Sequence, residues 1–132
     1  MIGVDTNVLV RFFVGDEKAQ TLTAKTFMSE RSADDPAFVG LLVIAELVWV
    51  LRKFYEVPKP NVLEMIEVLT SSPAIVVERE DLVVSAMHMA RHPKAEIADA
   101  IIALTAVGVG CSRVVTFDRP AAKHIPGMDL LA

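Results

Sequence analysis

Four carboxylates sit in surroundings that do not look like a solvated face. Asp5 ends the apolar run Ile2-Gly3-Val4, and Asp118 ends Val114-Val115-Thr116-Phe117. Glu46 has Leu42, Val43, Trp49 and Val50 three and four positions away, while Asp99 has Ala95, Glu96, Ile102 and Ala103. A carboxylate buried in such a place must be neutral, paired or bound to a cation, because an isolated buried charge is strongly unfavourable. Each acid also has a structural explanation. Asp5 can cap a helix, and Glu46 can pair with Arg11, Arg52 or Lys53. Asp99 can be a helix-face acid beside Glu96, and Asp118 a turn residue before Arg119-Pro120. Those explanations leave the common placement of the four acids unexplained. Clustered carboxylates without clustered bases suit a hard divalent cation such as Mg²⁺ or Mn²⁺, which takes oxygen ligands and keeps several waters. One or two such ions activate a water and stabilise the leaving oxygen of a phosphodiester.

The elements that would position these acids alternate strand and helix. Ile2-Gly3-Val4 reads as a strand, and Asp5-Thr6-Asn7 supplies helix-start residues before Val8-Leu9-Val10. Glu17 to Arg31 is an amphipathic helix, with Ala19, Leu22, Phe27 and Met28 as inward positions, broken by Asp34-Asp35-Pro36. Strand Ala37–Val39 leads into a buried helix from Leu41 to Tyr55, and Asn61 to Leu69 is helical with Leu63, Ile66 and Leu69 in register. Ala74–Val77 is the most strand-like run; helices over 81–91 and 96–107 follow, stopped by Pro93 and Gly108. Strand 113–117, a helical turn over 120–124 and a short strand over 128–131 complete the chain. Strands separated by helices imply parallel pairing, so the expected fold is a three-layer α/β/α sandwich on a parallel sheet of about five strands. In such sheets the ligand crevice lies beyond the carboxyl ends of the strands, where Asp5 and Asp118 fall.

A length of 132 residues fits one domain over 1–132, large enough for a core without covalent staples. The single cysteine, Cys111, excludes an internal disulfide and a multi-cysteine zinc site, and reads as a buried structural thiol in a reducing compartment. The greasiest stretch, Phe38 to Leu51, is too short for a membrane span and carries Glu46. With an acid already at position 5 and no signal-peptide pattern, the chain is expected to be soluble and cytoplasmic. A net charge of −4 argues against a broad basic surface that grips nucleic acid by charge alone, so such a grip must come from something other than net charge, a metal being the obvious candidate. Apolar residues make up 53% of the chain, which points to a hydrophobic patch used by a partner.

Other signals carry less. His88 and His92 have a metal-compatible spacing but no third ligand nearby, and read as partly exposed histidines. Gly108-Val109-Gly110 precedes a strand instead of following one, so it is a helix stop. Trp49 reads as core or interface filler. A phosphoaspartyl enzyme is excluded because Asn7 stands two residues after Asp5 and Glu78 stands where an Asp is required.

At Val4-Asp5-Thr6-Asn7-Val8-Leu9-Val10-Arg11, Ala45-Glu46-Leu47-Val48-Trp49, Ile97-Ala98-Asp99-Ala100 and Thr116-Phe117-Asp118-Arg119 the sequence resembles the PIN-domain family, in particular the VapC-type toxin ribonucleases of type II toxin–antitoxin systems. The resemblance covers nearly the whole chain. It implies that Asp5, Glu46, Asp99 and Asp118 hold one or two Mg²⁺ or Mn²⁺ ions and catalyse cleavage of single-stranded or loop RNA. It makes Glu96 an auxiliary acid and Thr6, Asn7 and Thr116 polar residues that orient the acids, and it implies a homodimer neutralised by an antitoxin protein. Arg11, Arg52, Arg119 and Lys123 lie near the acidic pieces in the chain and either contact phosphates or are simply solvated, with Arg11 and Arg119 the candidates for RNA binding. The alternative is a non-catalytic α/β regulatory or protein-binding module whose acids only cap helices or pair.

Overall fold

The computed structural model describes residues 1–131, and its chain divides into two compact units, the first Met1–Glu80 and the second beginning at Asp81. The first unit begins with β1 (Ile2–Gly3), whose backbone is continued by Val4 N donating to Phe38 O at 2.9 Å. Helix α1 (Thr6–Val14) ends at Gly15, whose φ of +70° is the left-handed turn that glycine makes at low cost. Helix α2 (Lys18–Ser29) starts where the Glu17 carboxylate accepts from Gln20 N. Its inward face differs from the expected one: Ala24 is buried and Phe27 and Met28 half-buried, while Ala19 and Leu22 are exposed. Helical spacing named the stripe, and the packing partner decided which edge of it is covered.

Strand β2 (Ala37–Val39) lies between β1 and β3 (Ile75–Val77), with Ala37 opposite both Ile2 and Ile75 in parallel register. The run expected as one helix from Leu41 to Tyr55 is α3 (Leu41–Trp49) followed by a π-helical turn over Val50–Phe54, where Tyr55 N donates to Val50 O. Leu42, Trp49 and Phe54 are exposed, so only one side of this segment is core. Helix α4 (Lys59–Ser71) has a proline in its first turn, where no amide hydrogen is needed. Leu9, Val39, Ile44, Leu47, Leu51, Val62 and Ile66 are completely buried and form the core of this unit. At its edge the Met1 ammonium lies 2.9 Å from Asp35, which also takes Arg31 at 2.8 Å. The hydrogen bond from that ammonium is the main cause holding the Asp35 carboxyl below its ordinary value.

The second unit holds α5 (Glu80–Met89), which starts at the boundary residue, α6 (Ile97–Gly108), β4 (Val114–Thr116), α7 (Arg119–His124) and β5 (Met128–Leu130). Among the described residues, half of its covered apolar positions are alanines, Ala86, Ala90, Ala95, Ala100, Ala103 and Ala121, and the rest are Leu82, Val83, Ile97, Ile101, Ile125 and Met128. Strand β4 pairs with β5 in parallel, Val114 opposite Met128. The chain is therefore an α/β protein whose five strands pair only in parallel, laddered as a three-stranded sheet and a two-stranded sheet among the described residues. Cys111 corrects the reading of a buried thiol. It is exposed, in the turn after α6 beside Gly110 at φ +97°.

His92, in the turn before α6, stacks on His124 at the end of α7, with ring centroids 4.7 Å apart and planes 24° from parallel. Burial first, then the charges of His92, Lys123 and Lys94, hold the His124 imidazole below its ordinary value of 6.5. The folded state therefore favours neutral His124. Its contribution to stability is present above about pH 6.5 and is lost as pH falls through the lowered folded value. We expect the melting temperature to drop less for His124→Gln than for wild type between about pH 7.5 and 5, read by thermal melts in matched buffers.

Candidate active site

Asp5 leaves β1 with extended dihedrals (φ −84°, ψ 161°), and its Oδ1 accepts from Thr6 N at 2.7 Å, capping α1. That turn carries Thr6 inward, where it is the buried polar side chain of the described residues. Its Oγ1 donates to Oε1 of Glu46, on the second turn of α3, at 3.2 Å. Asp5 and Glu46, 41 residues apart in the chain, thus both bond to Thr6. Both carboxylates are exposed. The expectation of buried acids is corrected here, because apolar neighbours along a helix do not cover a position when Leu42 and Trp49 are themselves exposed.

A cavity of about 830 Å³ opens in this unit beside Asp5 and is lined in part by Val4, Asn7, Val8, Arg11 and Gln20. Asn7 is exposed. Arg11 is engaged twice: its Nε donates to Gln20 Oε1 at 2.7 Å and its Nη1 to Asp16 Oδ1 at 3.0 Å. Asp16 also accepts from the Tyr55 hydroxyl at 2.9 Å, so the guanidinium is one member of a network that ties α1, α2 and the π turn.

In the second unit Asp118 caps α7, Oδ1 accepting from Ala121 N at 2.9 Å, while its own N donates to Thr116 Oγ1 at 3.0 Å. Asp118 and Arg119 are exposed. Asp99 lies half-buried in the first turn of α6, where the helix dipole favours an anion, and Glu96 holds the N-cap position of the same helix.

Among the described residues no group of three or more acids, histidines or cysteines forms a ready cage for a metal. The donors present are nevertheless hard oxygens: two exposed carboxylates on Thr6 in the first unit, Asp5 at its amide and Glu46 at its hydroxyl, and Asp99 and Asp118 in the second. Mg²⁺ is commonly held by one or two carboxylates, waters and substrate phosphate, so this donor chemistry fits such an ion without a closed cage.

One functional candidate escaped the sequence reading. Glu78 follows β3 as Asp5 follows β1, and its Oε1 accepts from Leu41 N at 2.8 Å. It thereby caps α3, whose own N-cap, Gly40, has no side chain to do so. The acid-after-strand signal was present in the sequence, but the capped helix starts 37 residues earlier.

A family model described as PIN domain matches residues 2–125. A VapC ribonuclease from Aquifex aeolicus (strain VF5) is similar to the chain, 25% identical over 120 residues that cover 91% of this chain and 89% of that protein.

Glu78→Ala removes the cap of the helix that carries Glu46 and is expected to cost about 1 kcal/mol of stability. Glu78→Gln retains an accepting oxygen and loses less. Urea unfolding of the three proteins checks the order.

Proposed function

Because the chain belongs to the PIN-domain family, we propose that it is a divalent-metal-dependent endoribonuclease that hydrolyses phosphodiester bonds in single-stranded or loop RNA, the toxin of a toxin–antitoxin pair. The observation that carries this reading is the meeting of the Asp5 and Glu46 carboxylates on Thr6 at the carboxyl end of β1, beside a cavity. Asp5, Glu46, Asp99 and Asp118 are the residues assigned to hold one or two Mg²⁺ or Mn²⁺ ions. The metal, when bound, supplies a Lewis acid that polarises the phosphodiester and activates a water.

The chain's own residues orient the acids. Thr6 keeps the Glu46 carboxylate turned toward the start of α1, and Thr116 fixes the backbone that presents Asp118. Glu96 and Asn7 are auxiliary in this reading, and Arg119 is the freer of the two arginine contacts, since Arg11 must first leave Asp16 and Gln20. The family match runs through both compact units, which supports one working domain over 1–132.

Homodimerisation and capture by an antitoxin are part of the same proposal. Leu42 and Trp49, seven apart on α3 and exposed, offer apolar surface for such contacts. Among the described residues no helix is long and apolar enough to cross a membrane.

The non-catalytic module has one observation in its favour: Asp5 and Asp118 do cap helices. Asparagine caps about as well as aspartate but lacks its charge, so Asp5→Asn separates the two readings. We expect Asp5→Asn to melt near wild type yet lose at least ~10²-fold in cleavage of single-stranded and hairpin RNA with Mg²⁺ or Mn²⁺, and EDTA to stop the wild type. Cleavage that persists in EDTA, or an Asp5→Asn protein as active as wild type, rejects the metal-nuclease reading.

A further inference from the structure

The charge of this chain is unevenly placed. Residues 1–80 carry eight Lys and Arg against twelve Asp and Glu, whereas residues 81–132 carry five of each and all three histidines. The net charge of −4 therefore belongs to the first unit. Several cations are already engaged: Arg11 with Asp16, Arg31 with Asp35, and Arg113 with Asp129 at 3.3 Å. Lys94 and Lys123 are exposed and, among the described residues, in no ion pair, a state they share with Lys18, Lys25, Lys53, Arg91 and Arg119; what sets them apart is where the fold puts them.

The fold joins the chain segments that carry these two lysines although 29 residues separate them. Lys94 N donates to His92 Nδ1 at 3.2 Å, and His92 stacks on His124, whose chain neighbour is Lys123. The stack fastens the turn before α6 to the last turn of α7. Both lysine charges reach His124, since both help to hold its imidazole below the ordinary value. A lysine at the end of α7 complements the helix dipole, which accounts for Lys123 alone. It does not account for Lys94, which lies outside any helix.

We propose that Lys94 and Lys123, gathered by the His92–His124 stack, grip the phosphodiester backbone of the RNA. Compact ammonium groups on flexible stems make point contacts to phosphates without reading sequence. Such contacts supply the affinity that an acidic first unit cannot. The inference rests on the ribonuclease reading and adds where its substrate is held.

The test is binding of a short, fluorescein-labelled single-stranded RNA of mixed sequence to the full chain in EDTA, followed by anisotropy between about 50 and 200 mM salt. Each lost phosphate contact lowers the slope of log affinity against log salt by about 0.7 for single strands, so Lys94→Gln/Lys123→Gln should lower it by about 1.4. Lys18→Gln/Lys25→Gln, on exposed positions of α2, is the control and should leave the slope unchanged. Melting temperatures near wild type show that both pairs fold. With Mn²⁺, steady-state cleavage provides a second readout: the Lys94/Lys123 variant should raise KM roughly tenfold, with the loss in KM and not in kcat. A wild type that cuts RNA while the Lys94/Lys123 variant keeps its slope and KM overturns this inference and leaves the ribonuclease reading standing. An equal loss in the Lys18/Lys25 control overturns it too, because the effect is then one of overall charge. A wild type that cuts no RNA with either metal overturns both.

Discussion

The first unit is organised around one buried hydroxyl. Thr6 sits where β1 turns into α1, and a polar side chain placed there must have its hydrogen bond met. The acceptor it finds is Glu46, so the bond links the start of α1 to α3. The same residue's backbone amide is met by Asp5. One polar residue thus couples a strand end, two helices and two carboxylates. A change at Thr6 disturbs the acids before it disturbs the core, because the core residues Leu9, Ile44 and Leu47 need no directional bond to stay buried.

Capping and chemistry are compatible uses of the same carboxylate. Helix starts that follow parallel strands offer unpaired amides and the positive end of a dipole, so an acid at that place is stabilised before any ligand arrives. Asp5 and Asp118 take this position on α1 and α7. Glu78 does it across strands, capping α3 from the end of β3. The exposure of Asp5, Glu46 and Asp118 belongs to the same picture: a hydrated carboxylate needs no buried partner, and a hard cation retains waters that a closed apolar site would exclude.

Arginine and lysine divide the remaining electrostatic work in different ways. Arg11, Arg31 and Arg113 are drawn into local pairs, and such partly exposed pairs add little to stability while orienting the side chain. The planar guanidinium suits this, since it binds carboxylates and amides in fixed directions. Lys94 and Lys123 stay outside those pairs. Their placement depends on two stacked imidazoles, a contact between a turn and a short helix that no local pattern encodes.

The alternation of strands and helices was legible in the sequence because it rests on local physics: apolar period, helix-start residues, prolines and glycines. Expected and observed elements agree to within a few residues, from the strand at 37–39 to the helix at 119–124. The Asp5 cap was legible for the same reason, whereas Asp118, read as a turn residue, caps α7. Period alone could not say which apolar positions are covered, so Ala19 and Leu22 were read as inward and are exposed. Cys111 was assigned a buried role from its residue type, and only the turn it occupies places it outside. The bond from Thr6 to Glu46, the commitment of Arg11 to Asp16 and Gln20, the cap from Glu78 and the His92–His124 stack each join residues distant in the chain or brought together by a turn. Residue type and spacing determined which acids and helices this protein has. Tertiary structure alone decided which groups meet, because a hydrogen bond or ring contact depends on distances of a few ångströms that local sequence pattern does not encode.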